Sequence, residues 1–203
     1  MPRIAIKIII ALVSFIFLQV DSLHAQVGSL HAEGTYTFKV KNTKFIGSVE
    51  KEKRDKKTIS FVGIPFAKPP VGDLRWKAPR ELDQLPNTFE ATKLPNRCMQ
   101  VSNFYDAMDG IEGGSIIGSE DCLYLNIYLS EKAYNSNEKL PVMFWIHGGG
   151  NTWGYSASNL FTSGDFIMDH DVILVTTNYR LGPFGWFAYG DINKSSDNQL
   201  DQS

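Results

Sequence analysis

Only two cysteines and four histidines occur among the 203 residues. With so few, no Cys/His cluster at metal-ligand spacing forms, and no metal site is expected. Charge of one sign is also missing. Twenty Lys and Arg stand against 22 Asp and Glu, a net charge of −2, so no basic footprint for nucleic acid exists. Composition is otherwise that of an ordinary globular chain, and its length suits one domain. Long apolar runs are absent beyond the N-terminus. There, Arg3 and Lys7 precede an apolar core from Ile8 to Leu18. Residues 1–25 therefore read as a secretory signal peptide cleaved after Ala25, although Leu23 is larger than the −3 position prefers. The competing reading, a signal anchor, needs a longer apolar core. No membrane span is expected after cleavage, and the mature chain is expected to be extracellular. In that compartment two cysteines favour a Cys98–Cys122 disulfide over two separate buried thiols.

What is present is concentrated in one stretch. Leu140 to Ile146 is apolar, as a buried strand is, and it runs into His147, Gly148, Gly149 and Gly150. Glycines let the backbone reach φ > 0 and bring several N–H groups toward one small volume. Acyl-transfer enzymes need such a group of donors to hold the oxyanion of a tetrahedral intermediate. A Gly-rich turn is weak evidence alone, since a tight loop explains it equally.

The strand pattern gives context. Thr35 to Val40 alternates polar and apolar, and Lys44 to Val49 is placed to pair with it across Asn42. Glu50 to Lys57 reads as a solvated hairpin turn, and Thr58 to Phe66 as a further strand. Residues 98–122 read as a Gly- and Ser-rich loop. Leu123 to Leu129 alternates again, and Tyr134 to Lys139 reads as a polar turn. Val142 to Ile146 and Val172 to Thr176 read as central strands covered on both faces, with a short helix between them at Ser158 to Asp169.

Four ordered segments resemble the type-B carboxylesterase family, whose relatives include cholinesterases. They are Phe61 to Trp76, Ser119 to Asn126, the glycine loop, and Asn178 to Gly182; a further motif of the family is present only with residues missing, at Asp197 to Gln202. The resemblance covers roughly residues 34 to 202 and implies an α/β class chain. It would be the N-terminal portion of an α/β-hydrolase fold, an antiparallel β meander leading into the central sheet, and incomplete. On that reading residues 26–203 are the N-terminal part of a type-B carboxylesterase domain. That plan places a nucleophile in a Gly-x-Ser-x-Gly elbow, followed by Asp/Glu and His. No Gly-x-Ser-x-Gly occurs here. The end at Ser203 resembles a point before the family's nucleophile, so the chain is expected to be inactive alone.

The resemblance assigns roles by position. Gly149 and Gly150 correspond to oxyanion donors. Asn151 replaces an aromatic residue common at its position. His147 is not expected to be the general base, which lies far downstream in the family; bracing of the loop is preferred. Cys98 and Cys122 match the family's first disulfide. Arg75 would pair with Glu120, and Arg180 with Asp201. Asn193-Lys194-Ser195 is a glycosylation sequon. No cofactor is implied. The partner would be a small-molecule carboxylic ester, hydrolysed by a serine acyl-enzyme route in the full-length enzyme. The alternative is a catalytically silent, cholinesterase-like adhesion or binding protein. A cholinesterase proper is disfavoured, because no Trp lies between Cys98 and Cys122 to face a quaternary ammonium.

Overall fold

The computed structural model describes residues 35–50, 57–108, 110–136, 138–157 and 170–187. The leader, the segment 158–169, Asn193 and Asp201 lie outside the described residues. The first described elements are a hairpin of β1 (Tyr36–Val40) and β2 (Thr43–Glu50), in register from Tyr36–Gly47 to Val40–Thr43. Antiparallel β3 (Thr58–Pro65) follows, then a 3-10 turn at Gly72–Leu74 and short β4 (Thr88–Glu90), which lies parallel to β2. β5 (Gln100–Val101) and β6 (Ile116–Ile117) form a separate two-stranded ladder flanking α1 (Phe104–Met108). β7 (Tyr124–Ser130), α2 (Glu131–Asn135), β8 (Val142–Ile146), β9 (Ile173–Thr177) and α3 (Gly182–Trp186) follow among the described residues.

Among the described residues seven strands form one mixed sheet, ordered β1-β2-β3-β7-β9-β8, with β4 on β2. β7 pairs antiparallel with both β3 and β9, and only β8–β9 in this main path is parallel. The meander thus feeds the start of a parallel sheet, the α/β-hydrolase arrangement.

Alternation explains the core. Leu125, Ile127 and Leu129 of β7 pack with Ile59, Phe61, Phe38, Phe45, Ile173 and Val175 in one buried cluster. Phe38 stacks on Phe45 and meets Phe61 edge-on, both with ring centroids 4.7 Å apart. The opposite face of β7 is buried too: Asn126 is 0% and Tyr128 3% exposed.

Three expectations need correction. The first concerns the strand before the glycine loop, Val142 to Ile146, expected to be covered on both faces. It pairs only with β9 among the described residues, and Met143 and Ile146 are 56% and 63% exposed. β9 holds the interior place expected of Val172 to Thr176, between β7 and β8. Apolar composition says that a strand is meant to be covered; it does not say which segment covers it. Second, the expected turn from Tyr134 to Lys139 begins inside a helix. Ser130 caps α2, its Oγ accepting from the Ala133 N–H at 3.0 Å. Tyr134 is buried, and its hydroxyl donates to the Thr37 carbonyl at 2.6 Å while accepting from the Thr37 N–H at 3.1 Å. Third, the loop 98–122 carries β5, α1 and β6, elements too short for periodicity to reveal.

Candidate functional site

Strand β8 delivers His147 and three glycines to the end of the sheet. Gly149 has φ +125° and Gly150 φ +58°, conformations that side chains with a Cβ rarely adopt. Asn151 follows at φ +60°, which Asn tolerates better than an aromatic residue does. Three donors then close back on the Gly149 carbonyl: the N–H groups of Thr152 at 3.1 Å and Trp153 at 3.2 Å, and the Thr152 hydroxyl at 3.0 Å. The loop is tethered onward by the Gly182 N–H, which donates to the Asn151 carbonyl at 2.7 Å. Among the described residues, the N–H groups of Gly149 and Gly150 donate to no protein acceptor.

Close contact leaves no room at Gly149. A Cβ there would lie 1.8 Å from the Trp153 carbonyl oxygen, whereas one at Gly150 would meet nothing within 4 Å. Gly154 is confined in the same way. A Cβ on it would lie 2.1 Å from His147 Nδ1 and 2.6 Å from the Gly148 oxygen. The arm returning from the loop therefore passes directly against His147.

His147 is 7% exposed. Its ring stacks on Tyr179 with centroids 4.3 Å apart, and Nδ1 lies 2.9 Å from the Gly148 carbonyl oxygen. The Tyr179 hydroxyl donates to the His147 carbonyl at 2.8 Å. Nδ1 facing a carbonyl oxygen fixes the proton on that nitrogen. Nε2 is buried with no partner among the described residues. Burial lowers the pKa of this imidazole below its ordinary value, outweighing the Gly148 contact that acts the other way.

Polar side chains that the sequence reading did not single out anchor the return arm. Asn126 accepts from the Gly63 N–H at 2.9 Å and donates to Ser156 Oγ and Thr176 Oγ1, both at 3.1 Å. Asn178 accepts from the Ser156 N–H and donates to the Asn96 carbonyl, both at 2.9 Å. Tyr155 donates to the Pro95 carbonyl at 2.7 Å. Gln100 binds the backbone of Gly154 through both its oxygen and its nitrogen. The available signal was an Asn inside an apolar strand, since a buried amide needs partners. Ser156 belongs to Gly154-Tyr155-Ser156-Ala157-Ser158, which has a serine where an elbow has its second glycine; it is 0% exposed and held in this network.

The remaining expected pairs fall nearby. Cys98 and Cys122 are joined by a disulfide, with Cα atoms 5.0 Å apart and both residues buried. Arg75 binds Glu120 bidentately, Nε to Oε2 and a terminal nitrogen to Oε1, each at 2.5 Å. The pair is less buried than a paired interior arginine, with the Arg75 side chain 40% exposed. Glu120 raises the Arg75 pKa. Arg180 donates to the Lys77 carbonyl at 2.9 Å, and burial lowers its pKa. Its expected partner, Asp201, lies outside the described residues. No group of three metal-ligating side chains occurs among the described residues, and none of their helices is long and apolar enough to cross a membrane.

The chain is similar to known proteins. A family model described as "Carboxylesterase family" matches residues 35–202. A juvenile hormone esterase of Tribolium castaneum is 45% identical over 148 residues, which cover 73% of this chain and 24% of that protein. Venom carboxylesterase-6 of Apis mellifera is 39% identical over 146 residues, covering 72% and 25%. Among solved structures, a thermophilic PNB esterase superposes with a TM-score of 0.62 at 32% identity, over 77% of this chain and 31% of that one. The chain thus spans about a quarter of the length of these curated relatives.

Proposed function

The chain belongs to the carboxylesterase family, and from that premise we propose that it supplies the oxyanion-binding part of a serine carboxylic ester hydrolase. The observation that carries the proposal is the glycine loop. Gly149 and Gly150 hold positive φ at the end of β8, and their N–H groups have no acceptor among the described residues. Two such donors meet the charge that develops on an ester carbonyl oxygen as a nucleophile adds to it. Each donor of this kind contributes about 2.7–4 kcal/mol to the transition state where one has been removed from an enzyme.

Donors do not make a hydrolase without an attacking oxygen and a base. The 203 residues hold no Gly-x-Ser-x-Gly. His147 is a poor base here: its ring is enclosed, and its Nδ1 is occupied by the Gly148 carbonyl. Serine, acid and base are therefore assigned to sequence beyond these residues. There a serine would attack the ester carbon and expel the alcohol, and water would then release the acid. The substrate is a small-molecule carboxylic ester, and no cofactor enters this chemistry. Export through residues 1–25, glycosylation at Asn193 and pairing of Arg180 with Asp201 belong to the same reading.

Two measurements test it. The purified chain, free of host esterases, is expected to hydrolyse no short-chain nitrophenyl ester and to take no covalent label from a serine-directed organophosphate. Turnover that disappears in a Gly149→Ala variant would mean that a nucleophile lies within these residues. Sequencing the transcript past codon 203 is expected to reveal the serine elbow. Another residue at the elbow would replace the hydrolase by the silent binding protein.

A further inference from the structure

Gln100 and Gly154 are far apart in sequence, yet the Gln100 carboxamide binds both polar groups of Gly154. Oε1 accepts from the Gly154 N–H and Nε2 donates to the Gly154 carbonyl, each at 2.9 Å. The side chain imitates one rung of an antiparallel ladder. Nε2 also donates to the Cys98 carbonyl at 2.9 Å. Two carbonyls on one end and an N–H on the other fix the amide's orientation, because the reverse placement would face oxygen with oxygen. Gln100 is 7% exposed, and Cys98, two residues before it, is tied by the disulfide. The anchor is therefore rigid.

We propose that Gln100 is a positioning residue for the glycine loop, holding Gly154 against His147 and Gly148 and so fixing how Gly149 and Gly150 present their N–H groups. The inference rests on the oxyanion reading of that loop. The contacts run in sequence. Gly154 abuts the His147 ring and the Gly148 oxygen so closely that a Cβ is excluded. Its neighbour Trp153 donates to the Gly149 carbonyl, and the Trp153 carbonyl closes off the space at Gly149. Freeing Gly154 frees Trp153, and with it the plane of the Gly149–Gly150 peptide. Other side chains do not replace the carboxamide. Glutamate lacks the donor, methionine lacks both functions, and asparagine is one methylene short.

The test is hydrogen exchange on the 203-residue chain, with Gln100→Met, Gln100→Asn and Gln100→Glu beside it. The readouts are amides that do not touch Gln100: Thr152 and Trp153, which bond the Gly149 carbonyl, and Gly182, which bonds the Asn151 carbonyl. In Gln100→Met these are expected to exchange about tenfold faster, the scale of one lost hydrogen bond. Amides of β7 and β9 are expected to keep their protection. The His147 titration midpoint should rise toward the ordinary imidazole value as water reaches the ring. Gln100→Glu, which keeps the acceptor for the Gly154 N–H but sets a carboxylate oxygen against the Cys98 and Gly154 carbonyls, is expected to accelerate exchange at least as much as Gln100→Met. If the methionine variant does not fold, Gln100→Asn carries the same prediction. Unchanged exchange at Thr152, Trp153 and Gly182 in a folded variant overturns the proposal. So does acceleration spread equally over β7 and β9, which marks a general loss of stability. Neither readout involves an ester, so a failure of the hydrolase reading leaves this result separately decided.

Discussion

Adding one methyl group to each of two adjacent glycines should have unequal effects on stability. At Gly149 the new carbon would sit 1.8 Å from the Trp153 carbonyl oxygen and 2.7 Å from its carbon. Backbone must move, and the N–H bonds from Thr152 and Trp153 to the Gly149 carbonyl must stretch or break. Those bonds contribute about 0.5–1.5 kcal/mol each. The backbone conformation, φ +125°, adds strain of about 1–3 kcal/mol. Together the cost of Gly149→Ala comes to about 3 kcal/mol or more. At Gly150 the methyl meets nothing within 4 Å, so only the left-handed backbone at φ +58° is penalised. That penalty is about 1–2 kcal/mol. The assay is thermal unfolding of the chain followed by circular dichroism. For a chain of this size each kcal/mol lowers Tm by about 2–4 °C. Gly149→Ala should therefore melt about 6–12 °C lower, and Gly150→Ala about 2–8 °C lower. Alanine keeps the N–H, so the ordering reports packing rather than lost donors. Equal shifts, or a larger one at Gly150, would falsify the claim that the Trp153 carbonyl closes the space at Gly149.

The other expectations concern alkaline stability and the disulfide. Tyr36 and Tyr124 both have pKa values pushed up to about 12, first by burial and then by donating to Glu131 and Asp121 respectively. An unfolded tyrosine ionises near pH 10, so the stability these groups contribute is complete below that and is lost as pH rises toward about 12. Tm measured across that window should fall, and Tyr36→Phe should fall less steeply; an equal slope would count against it. Replacing Cys98 and Cys122 together by alanine should lower the unfolding free energy by at most about 3.4 kcal/mol, the chain-entropy value for a 24-residue separation. Urea titration measures it, and no change at all would mean that the bridge does not form in solution.

The sequence by itself determined the strands and the loop. Alternation at Thr35 to Val40 and at Leu123 to Leu129 marked strands because a side chain's face follows from backbone geometry alone. Three glycines after an apolar run marked the loop because only glycine makes positive φ inexpensive over successive residues. The Arg75–Glu120 contact was legible only through the resemblance, since its partners come from separate motifs. Tertiary structure decided the rest. Asn126 looks like the wet face of β7, yet it is fully buried, because Gly63, Ser156 and Thr176 arrive from three other segments to satisfy its amide. Gln100 carries no local pattern at all; its function exists only where Gly154 lies beside it. β8 is wholly apolar and β9 carries two threonines, yet β9 lies between β7 and β8, and β8 pairs only with β9 among the described residues. Local sequence fixes what a residue can bond or bury. Which distant group it meets depends on how the sheet is ordered, and that order is a property of the whole packed chain.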